Sequence, residues 1–321
     1  MRRPAWSLFV VVPLLGAAGL VGSVAPATAA PAPTATTASG TEVYVNQKDC
    51  TPDADGTMAE PYCTIGAAAA VAQPGQTVLV HPGDYPETVT FDRSGTVDAP
   101  ITYRAVNSPD GEVKVGNGFA VTDTVFRLVG VHDVVVQGFF AANWSNASTV
   151  VVDRSSRITL DGLAVFNQFQ APALVRLTGG SSDVTVSRTW LRALGEAAGV
   201  AVEPGVTRAV ITGNALEDAR IDVTDAPGTV VTGNTVVNEC DVAIRVAGAS
   251  PGVRLHNNIV QTAGGPEYDP QPCDAPSRAT AISVAAGSIA GSTADHNLIG
   301  PCTSRRHARR RVRRPPPPCS T

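Results

Sequence analysis

The sequence predicts an all-β protein built as a parallel β-solenoid, and three observations point to that fold class. Of the 321 residues, 43% are apolar and only 16% are charged, so the chain can bury a sizeable core. Gly (30) and Pro (25) are abundant, which favours many turns and excludes a coiled coil or a long-helix bundle. Short valine-rich strands recur through the middle of the chain with a period of about 24 residues.

The N-terminal segment, residues 1–29, is predicted to be a secretory signal peptide. Two arginines precede an apolar stretch from Leu8 to Val21, and Ala27-Thr28-Ala29 supplies small residues for cleavage. That stretch is shorter than the roughly 20 residues of a membrane span and no second one follows, so we expect a secreted, extracellular protein with no membrane partner. Residues 30–40 are predicted to be a disordered linker, because they hold few apolar side chains.

The C-terminal segment, residues 303–321, differs abruptly from the rest of the chain. It has no acidic residue and is rich in Arg and Pro, and we expect it to be disordered. Two interpretations stay open, namely a coding sequence in a wrong reading frame or a basic tail for an anionic surface. The net charge of −4 includes these arginines, so the body of the chain is more acidic still. An acidic body excludes nucleic acid as the main partner.

Six cysteines occur in a chain that is predicted to be exported. An oxidising compartment and the absence of any CxxC spacing indicate disulfides rather than a metal or redox site. Cys50 and Cys63 flank one polar loop, and Cys240 and Cys273 flank the longest irregular stretch. We predict these two pairs as local disulfides, while the two cysteines nearest the C terminus have no assigned partner.

Each repeat contains a short strand that ends at a turn residue. The turn residues that align the repeats are Gly138, Gly162, Arg188, Gly213, Gly233, Asn257 and His296. A second strand lies about ten residues before each of them, and no helical periodicity separates the two, so each repeat is predicted to form one coil. An asparagine follows the later turn residues, at Asn214, Asn234, Asn258 and Asn297. These asparagines predict a ladder of side chains that tolerate a left-handed turn and bond to one another along the axis.

Strand alternation predicts which side chains of the earlier strand of each repeat point outward. The predicted outer column is Arg127, Val151, Arg176, Ala201, Asp222, Arg245 and Ser283. Its three arginines are expected to concentrate positive charge on an acidic protein, which suits the carboxylates of uronic-acid sugars. The alternative is that Asp222 and Arg245, one coil apart, form a surface ion pair that contributes little to stability.

An N-terminal cap is predicted over residues 41–75. The Ala-rich IGAAAAV segment is typical of a short helix, with Thr64 as N-cap and Pro74-Gly75 as its end, and covers the edge of the first coil. The run from Thr41 to Ala105, with PYCTIGAAAAVAQPGQTVLVHPGDYPETVTF at its centre, resembles the N-terminal part of secreted right-handed parallel β-helix proteins of the pectate-lyase-like superfamily. With the repeats, the resemblance covers residues 41–302 and implies a right-handed parallel β-helix.

The resemblance implies a substrate across the outer face of one sheet, since members include pectate and alginate lyases and polygalacturonases. We therefore expect a monomeric protein whose partner is an extracellular, uronate-containing polysaccharide. The residues expected to contact it are Arg127, Arg176, Asp222 and Arg245. A lyase needs a base and a group that neutralises the sugar carboxylate, so Arg176 and Arg245 are the candidate catalytic residues.

Acidic side chains cluster in two adjacent repeats and form a candidate Ca²⁺ site for β-elimination. Its members are Glu217, Asp218, Asp222, Glu239 and Asp241. The alternative interpretation is a solvated acidic turn.

Two other functions stay open. A hydrolase of the polygalacturonase type needs paired carboxylates, which Asp222 with Asp218 or Asp225 can supply, although the Asn-Thr-Asp and Gly-His-Gly segments of that family are absent. A non-catalytic solenoid would bind glycan or serve as a scaffold. Trp144 and Trp190 follow strands, where aromatic rings either stack on sugars or pack under loops.

Overall fold

The computed structural model describes residues 41–109, 111–116, 121, 123–169, 171–193, 197–237, 242–261 and 280–300. The predicted signal peptide (1–29), linker (30–40) and C-terminal tail (303–321) lie outside the described residues, and so does the predicted pair Cys240 and Cys273. Within the described ranges, the chain winds through three all-parallel sheets. The protein is a right-handed parallel β-helix, as predicted.

Each full coil contributes one strand to each sheet. The first sheet consists of β1 (Glu42–Val45), β2 (Thr77–Val80), β5 (Ile101–Ala105), β8 (His132–Gln137), β11 (Ser156–Asp161), β14 (Ser182–Ser187), β17 (Val210–Thr212), β20 (Val230–Thr232), β23 (Arg254–His256) and β26 (Thr293–Asp295). The second consists of β3 (Gly83–Tyr85), β6 (Val113–Val115), β9 (Phe140–Asn143), β12 (Ala164–Asn167), β15 (Trp190–Ala193), β18 (Ala215–Glu217), β21 (Thr235–Val237), β24 (Ile259–Gln261) and β27 (Leu298–Ile299). The third consists of β4 (Val89–Phe91), β7 (Phe126–Val129), β10 (Val150–Asp153), β13 (Ala173–Thr178), β16 (Ala198–Val202), β19 (Arg220–Thr224), β22 (Ile244–Ala247) and β25 (Ile282–Val284).

The interior of the helix is filled by columns of inward side chains. On the first sheet, Val134, Ile158 and Val184 are register partners in successive coils, and all three are fully buried. Larger rings fill the early coils, where Phe91 meets Tyr103 edge-to-face with ring centroids 4.6 Å apart. Because each inward side chain contacts the coils above and below, burial of these columns drives the stacking.

The corner between the first and second sheets is a two-residue turn from β8 onward. Its first residue is the predicted turn residue of each repeat, and all seven have left-handed φ values of 51° to 78°. The predicted ladder is confirmed, because the amide of Asn214 donates to Asn234 Oδ1 at 2.9 Å and that of Asn234 donates to Asn258 Oδ1 at 3.0 Å. One detail of the prediction is wrong. The ladder asparagines were expected to take the left-handed conformation, whereas the residue before each of them takes it.

A second left-handed position lies at the start of the first-sheet strands. In four successive coils it is held by charged residues, at Asp133, Arg157, Asp183 and Arg208, with φ of 52° to 57°. Arg157 binds both carboxylate oxygens of Asp133, at 2.7 and 2.8 Å, and Arg208 binds both of Asp183, at 2.6 Å. These ion pairs offset the strain of a left-handed backbone at residues with a Cβ.

The N-terminal cap is present as predicted. Helix α1 (Ile65–Val71) begins at Thr64, whose hydroxyl accepts a hydrogen bond from the Ala67 amide, and it ends ahead of Pro74. Glu87 accepts hydrogen bonds from the Ile65 and Gly66 amides at 2.8 and 3.0 Å, which satisfies two more donors at the helix N-terminus.

The predicted disulfide between Cys50 and Cys63 is confirmed, and it closes the polar loop that precedes α1. In the part of the chain that the structure describes, no helix combines the length and the apolar character needed to cross a membrane.

Candidate functional site

The predicted outer column lies on the third sheet in the predicted register. Arg127, Val151 and Arg176 are partners in the successive strands β7, β10 and β13. The column continues through Ala201, Asp222, Arg245 and Ser283. The spacing of the repeats was therefore sufficient to place one outward residue per coil.

A pocket of about 380 Å³ lies at the early part of this column. It spans β7, β10 and β13, with Arg127 and Arg176 two coils apart and Val151 between them. Asp153 and Thr178, one position along the same outer face, also line it. The pocket therefore offers cationic groups about 10 Å apart on either side of an apolar floor.

Each arginine of the column has an acidic partner. Arg127 binds Asp123 at 2.6 Å, and Arg176 binds both oxygens of Glu203, at 2.5 and 3.0 Å. Arg245 binds both oxygens of Asp222, at 3.0 and 2.7 Å. The expectation of concentrated positive charge is therefore wrong, because carboxylates compensate each guanidinium.

The contact of Arg176 with Glu203 beside the pocket is bidentate, and it shifts the pKa of both groups. The hydrogen bond that Arg176 donates to Glu203 raises the pKa of the guanidinium, so it stays protonated. Although burial alone would raise the pKa of Glu203, hydrogen bonds from Arg176 and Thr178 lower it. A guanidinium held in this way is suited to binding a carboxylate and unsuited to removing a proton.

Asp222 lies between two arginines farther along the column. Its Oδ2 is 3.0 Å from Arg220 Nε and 2.7 Å from Arg245, and its side chain is 12% exposed. The alternative prediction of an ion pair between Asp222 and Arg245 is thus confirmed. Because both carboxylate oxygens already accept hydrogen bonds, Asp222 is a positioning group for Arg245.

The predicted calcium cluster does not assemble from its described members. Glu217 lies on β18 of the second sheet, Asp222 lies on β19 of the third, and Asp218 lies in the turn between them. Among the described residues, no group of three His, Cys, Asp or Glu side chains is placed to hold a metal ion. Glu239 and Asp241 lie outside the described residues, so a calcium site that includes them stays a prediction.

The pairs suggested for a hydrolase are Asp222 with Asp218 or with Asp225, and both oxygens of Asp222 already accept hydrogen bonds from Arg220 and Arg245. Asp218 precedes β19 and Asp225 follows it, so they lie at opposite ends of the same strand. Asp225 accepts a hydrogen bond from the Ala249 amide at 2.7 Å and has a left-handed φ of 46°. These contacts indicate that Asp225 shapes a turn.

Comparison with solved structures supports the fold. An alginate lyase from Paenibacillus sp. strain FPU-7 superposes with a TM-score of 0.56 at 16% identity, over 73% of this chain and 94% of that one. A rhamnogalacturonan lyase superposes with a TM-score of 0.52 at 13% identity, over 70% and 69%. The chain shares the parallel β-helix fold of these two lyases.

Similarity in sequence is more limited. No family model matches the chain. The uncharacterized protein YwoF of Bacillus subtilis strain 168 is 25% identical over 161 residues, which are 49% of this β-helix chain and 30% of that protein. The chain therefore spans less than a third of that relative.

Two acidic residues of the pocket region were missed by the sequence analysis. Glu203 lies two residues beyond Ala201 of the column, so strand alternation places both on the outer face, diagonal to Arg176. Asp123 precedes β7 and reaches Arg127 four residues later. Extending the alternation by one step beyond each strand would have found Glu203, whereas no sequence pattern singles out Asp123.

Proposed function

We propose that the protein is a secreted glycan-binding protein that holds an acidic polysaccharide across the third sheet. The observation that supports this most directly is the pocket in which Arg127 and Arg176 flank Val151. Their separation of about 10 Å is comparable with that of alternate sugars in an extended uronate chain. Two sugar carboxylates can therefore meet two separate guanidinium groups.

The acidic partners leave the arginines able to bind. Arg176 uses Nε and Nη2 for Glu203, and its side chain is 40% exposed. A guanidinium carries five N–H donors, so donors of Arg176 remain for a ligand carboxylate. Glu203 then fixes the direction of the guanidinium before the ligand arrives, which lowers the entropy lost on binding.

Cleavage of the polymer by β-elimination is a second candidate activity. It is favoured by the outward position of Arg176 and Arg245 on one sheet. The two arginines lie three coils apart, so each can neutralise a different sugar carboxylate. The described acidic residues do not form a calcium site, so no catalytic step is assigned to the metal.

The test is binding of polygalacturonate and alginate by the full-length protein, with a neutral polymer as reference. Arg176→Ala is expected to weaken binding of the acidic polymers by about 1 to 3 kcal/mol, because a charge-assisted hydrogen bond is lost. The matched control is Arg208→Ala, which removes a similar two-pronged ion pair on the first sheet. Equal losses in the two variants, or no loss in Arg176→Ala, would overturn the proposal.

The same incubations distinguish a lyase, a hydrolase and a non-catalytic glycan-binding protein. An unsaturated sugar product that absorbs in the ultraviolet identifies a lyase, and new reducing ends without it identify a hydrolase. Binding without either product identifies a glycan-binding solenoid. Repeating the assay with calcium and with a chelator tests the predicted metal dependence.

A further inference from the structure

The outer face of the second sheet carries aromatic rings in three successive coils. Phe140 on β9, Ala164 on β12 and Trp190 on β15 are register partners, so a small side chain lies between two large ones. Phe166 points outward two residues after Ala164, and all three rings are half-buried. Ala164 is therefore a small residue with aromatic neighbours in the coils on either side and a third aromatic residue two positions along its own strand, and we refer to this position as the depression around Ala164.

Arg192 lies at the edge of this depression. It is the register partner of Phe166 and shares the outward face of β15 with Trp190. Within the described ranges Arg192 makes no ion pair, even with its register neighbour Glu217, and its Nε is buried without a hydrogen-bond partner. This differs from the third-sheet arginines, each of which binds a carboxylate.

An arginine with a buried and unsatisfied donor is costly in a folded protein, since such a group normally has a partner. Because Nε is closed to solvent, an anion would bind the terminal Nη groups of Arg192, which make no ion pair with the described residues, and would give the guanidinium a charged partner. The neighbouring aromatic rings favour an acidic sugar over an inorganic anion. Aromatic faces pack against the C–H faces of sugar rings and contribute little to the binding of inorganic ions.

We propose that the depression around Ala164 is a second carbohydrate subsite that binds one acidic sugar residue. The sugar ring lies over Ala164 against Trp190 and the two phenylalanines, and its carboxylate accepts hydrogen bonds from Arg192. This inference extends the proposed function to a second face, since β9, β12 and β15 belong to the coils that continue into β10, β13 and β16 of the third sheet. One polysaccharide chain, or two, can thus be held by the same coils.

The test is titration of the full-length protein with trigalacturonate, followed by calorimetry and tryptophan fluorescence. We expect a fluorescence change that comes from Trp190, so Trp190→Phe removes the signal and keeps binding, whereas Trp190→Ala weakens the second-sheet site. Arg192→Ala is expected to lower its affinity roughly tenfold, and Arg192→Lys to recover part of the loss. Arg254→Ala, which removes an exposed arginine from the first sheet, is the matched control.

The variants separate this subsite from the third-sheet pocket. If Arg176→Ala leaves the Trp190 signal intact and Arg192→Ala removes it, the second subsite is supported. This result holds whether or not the third-sheet pocket binds trigalacturonate. If trigalacturonate binds, Arg176→Ala abolishes binding and neither Arg192→Ala nor Trp190→Ala changes it, the second subsite is refuted and the pocket stands. Loss of the thermal transition in Arg192→Ala, with unchanged binding by Trp190→Ala, would show that Arg192 only packs against Phe166, and would also refute the subsite.

Discussion

The corner between the first and second sheets is built alike from coil to coil, whereas the connection between the second and third sheets is not. From β8 onward, two residues separate each first-sheet strand from the next strand. The other connection is short between β18 and β19, longer between β9 and β10, and longest between β24 and β25. The constant corner holds the buried asparagine ladder, and the variable connection leads into the sheet with the candidate pocket.

The difference shows how a repeat protein separates stability from recognition. A buried hydrogen-bonded column tolerates no insertion, because one added residue would break contacts with the coils on both sides. An exposed connection can change its length without affecting the core. Substitutions in the constant corner should therefore change stability, and those on the outer faces should change binding.

The largest loss of stability is expected for Asn234→Ala. The Asn234 side chain accepts from the backbone amide of Asn214 at 3.0 Å and donates to the Ile211 carbonyl at 2.8 Å, and all these groups are buried. Their loss should lower the free energy of unfolding by about 3 kcal/mol, measured by chemical denaturation. The control is Thr235→Ala, an exposed neighbour that should change little. Equal effects of the two substitutions would contradict a stabilising role for the ladder.

A smaller loss of stability is expected when the disulfide of the N-terminal cap is removed. The disulfide between Cys50 and Cys63 spans 13 residues, and Cys63→Ser should cost about 2 kcal/mol because the unfolded chain gains freedom. Thermal unfolding with and without reductant measures the effect. The reductant should lower the midpoint of the wild type more than that of the variant, which keeps only the predicted pair Cys240 and Cys273. A free thiol at Cys63 in the native wild type would contradict the prediction.

The smallest change in stability is expected at Asp133, one of the charged left-handed residues at the start of the first-sheet strands, and this change depends on pH. Hydrogen bonds from Arg157 and His132 lower the pKa of Asp133 to about 2, although burial opposes the shift. A carboxyl with a lowered pKa stabilises the folded state above its unfolded pKa of about 4, and that contribution is lost as the pH falls through about 2. The melting temperatures of the wild type and Asp133→Asn should therefore differ at neutral pH and converge on acidification. A gap that stays constant would show that Asp133 acts by packing alone.

The sequence predicted the backbone of this protein better than its surface chemistry. The recurring turn residues located the left-handed corner and the outward column, because a parallel β-helix forces residues at equivalent places in the repeat into register. The partners of Arg127 and Arg176 were not predicted, since a diagonal contact depends on side-chain conformation and on where each strand ends. Arg192 was also missed, because its register neighbour Glu217 would suggest an ion pair that does not form.

The constant corner also makes the coil a unit that evolution can add or remove. Thr212 and Thr232 are register partners, and the same left-handed turn and ladder asparagine follow each of them. Deletion of residues 213–232 would therefore join two backbones that already have matching geometry, with Asn234 taking the place of Asn214. The outer faces would shorten by about 4.8 Å, the spacing of one strand. The length of polymer that such a surface can hold thus changes in fixed steps, by duplication or loss of a short stretch of coding sequence.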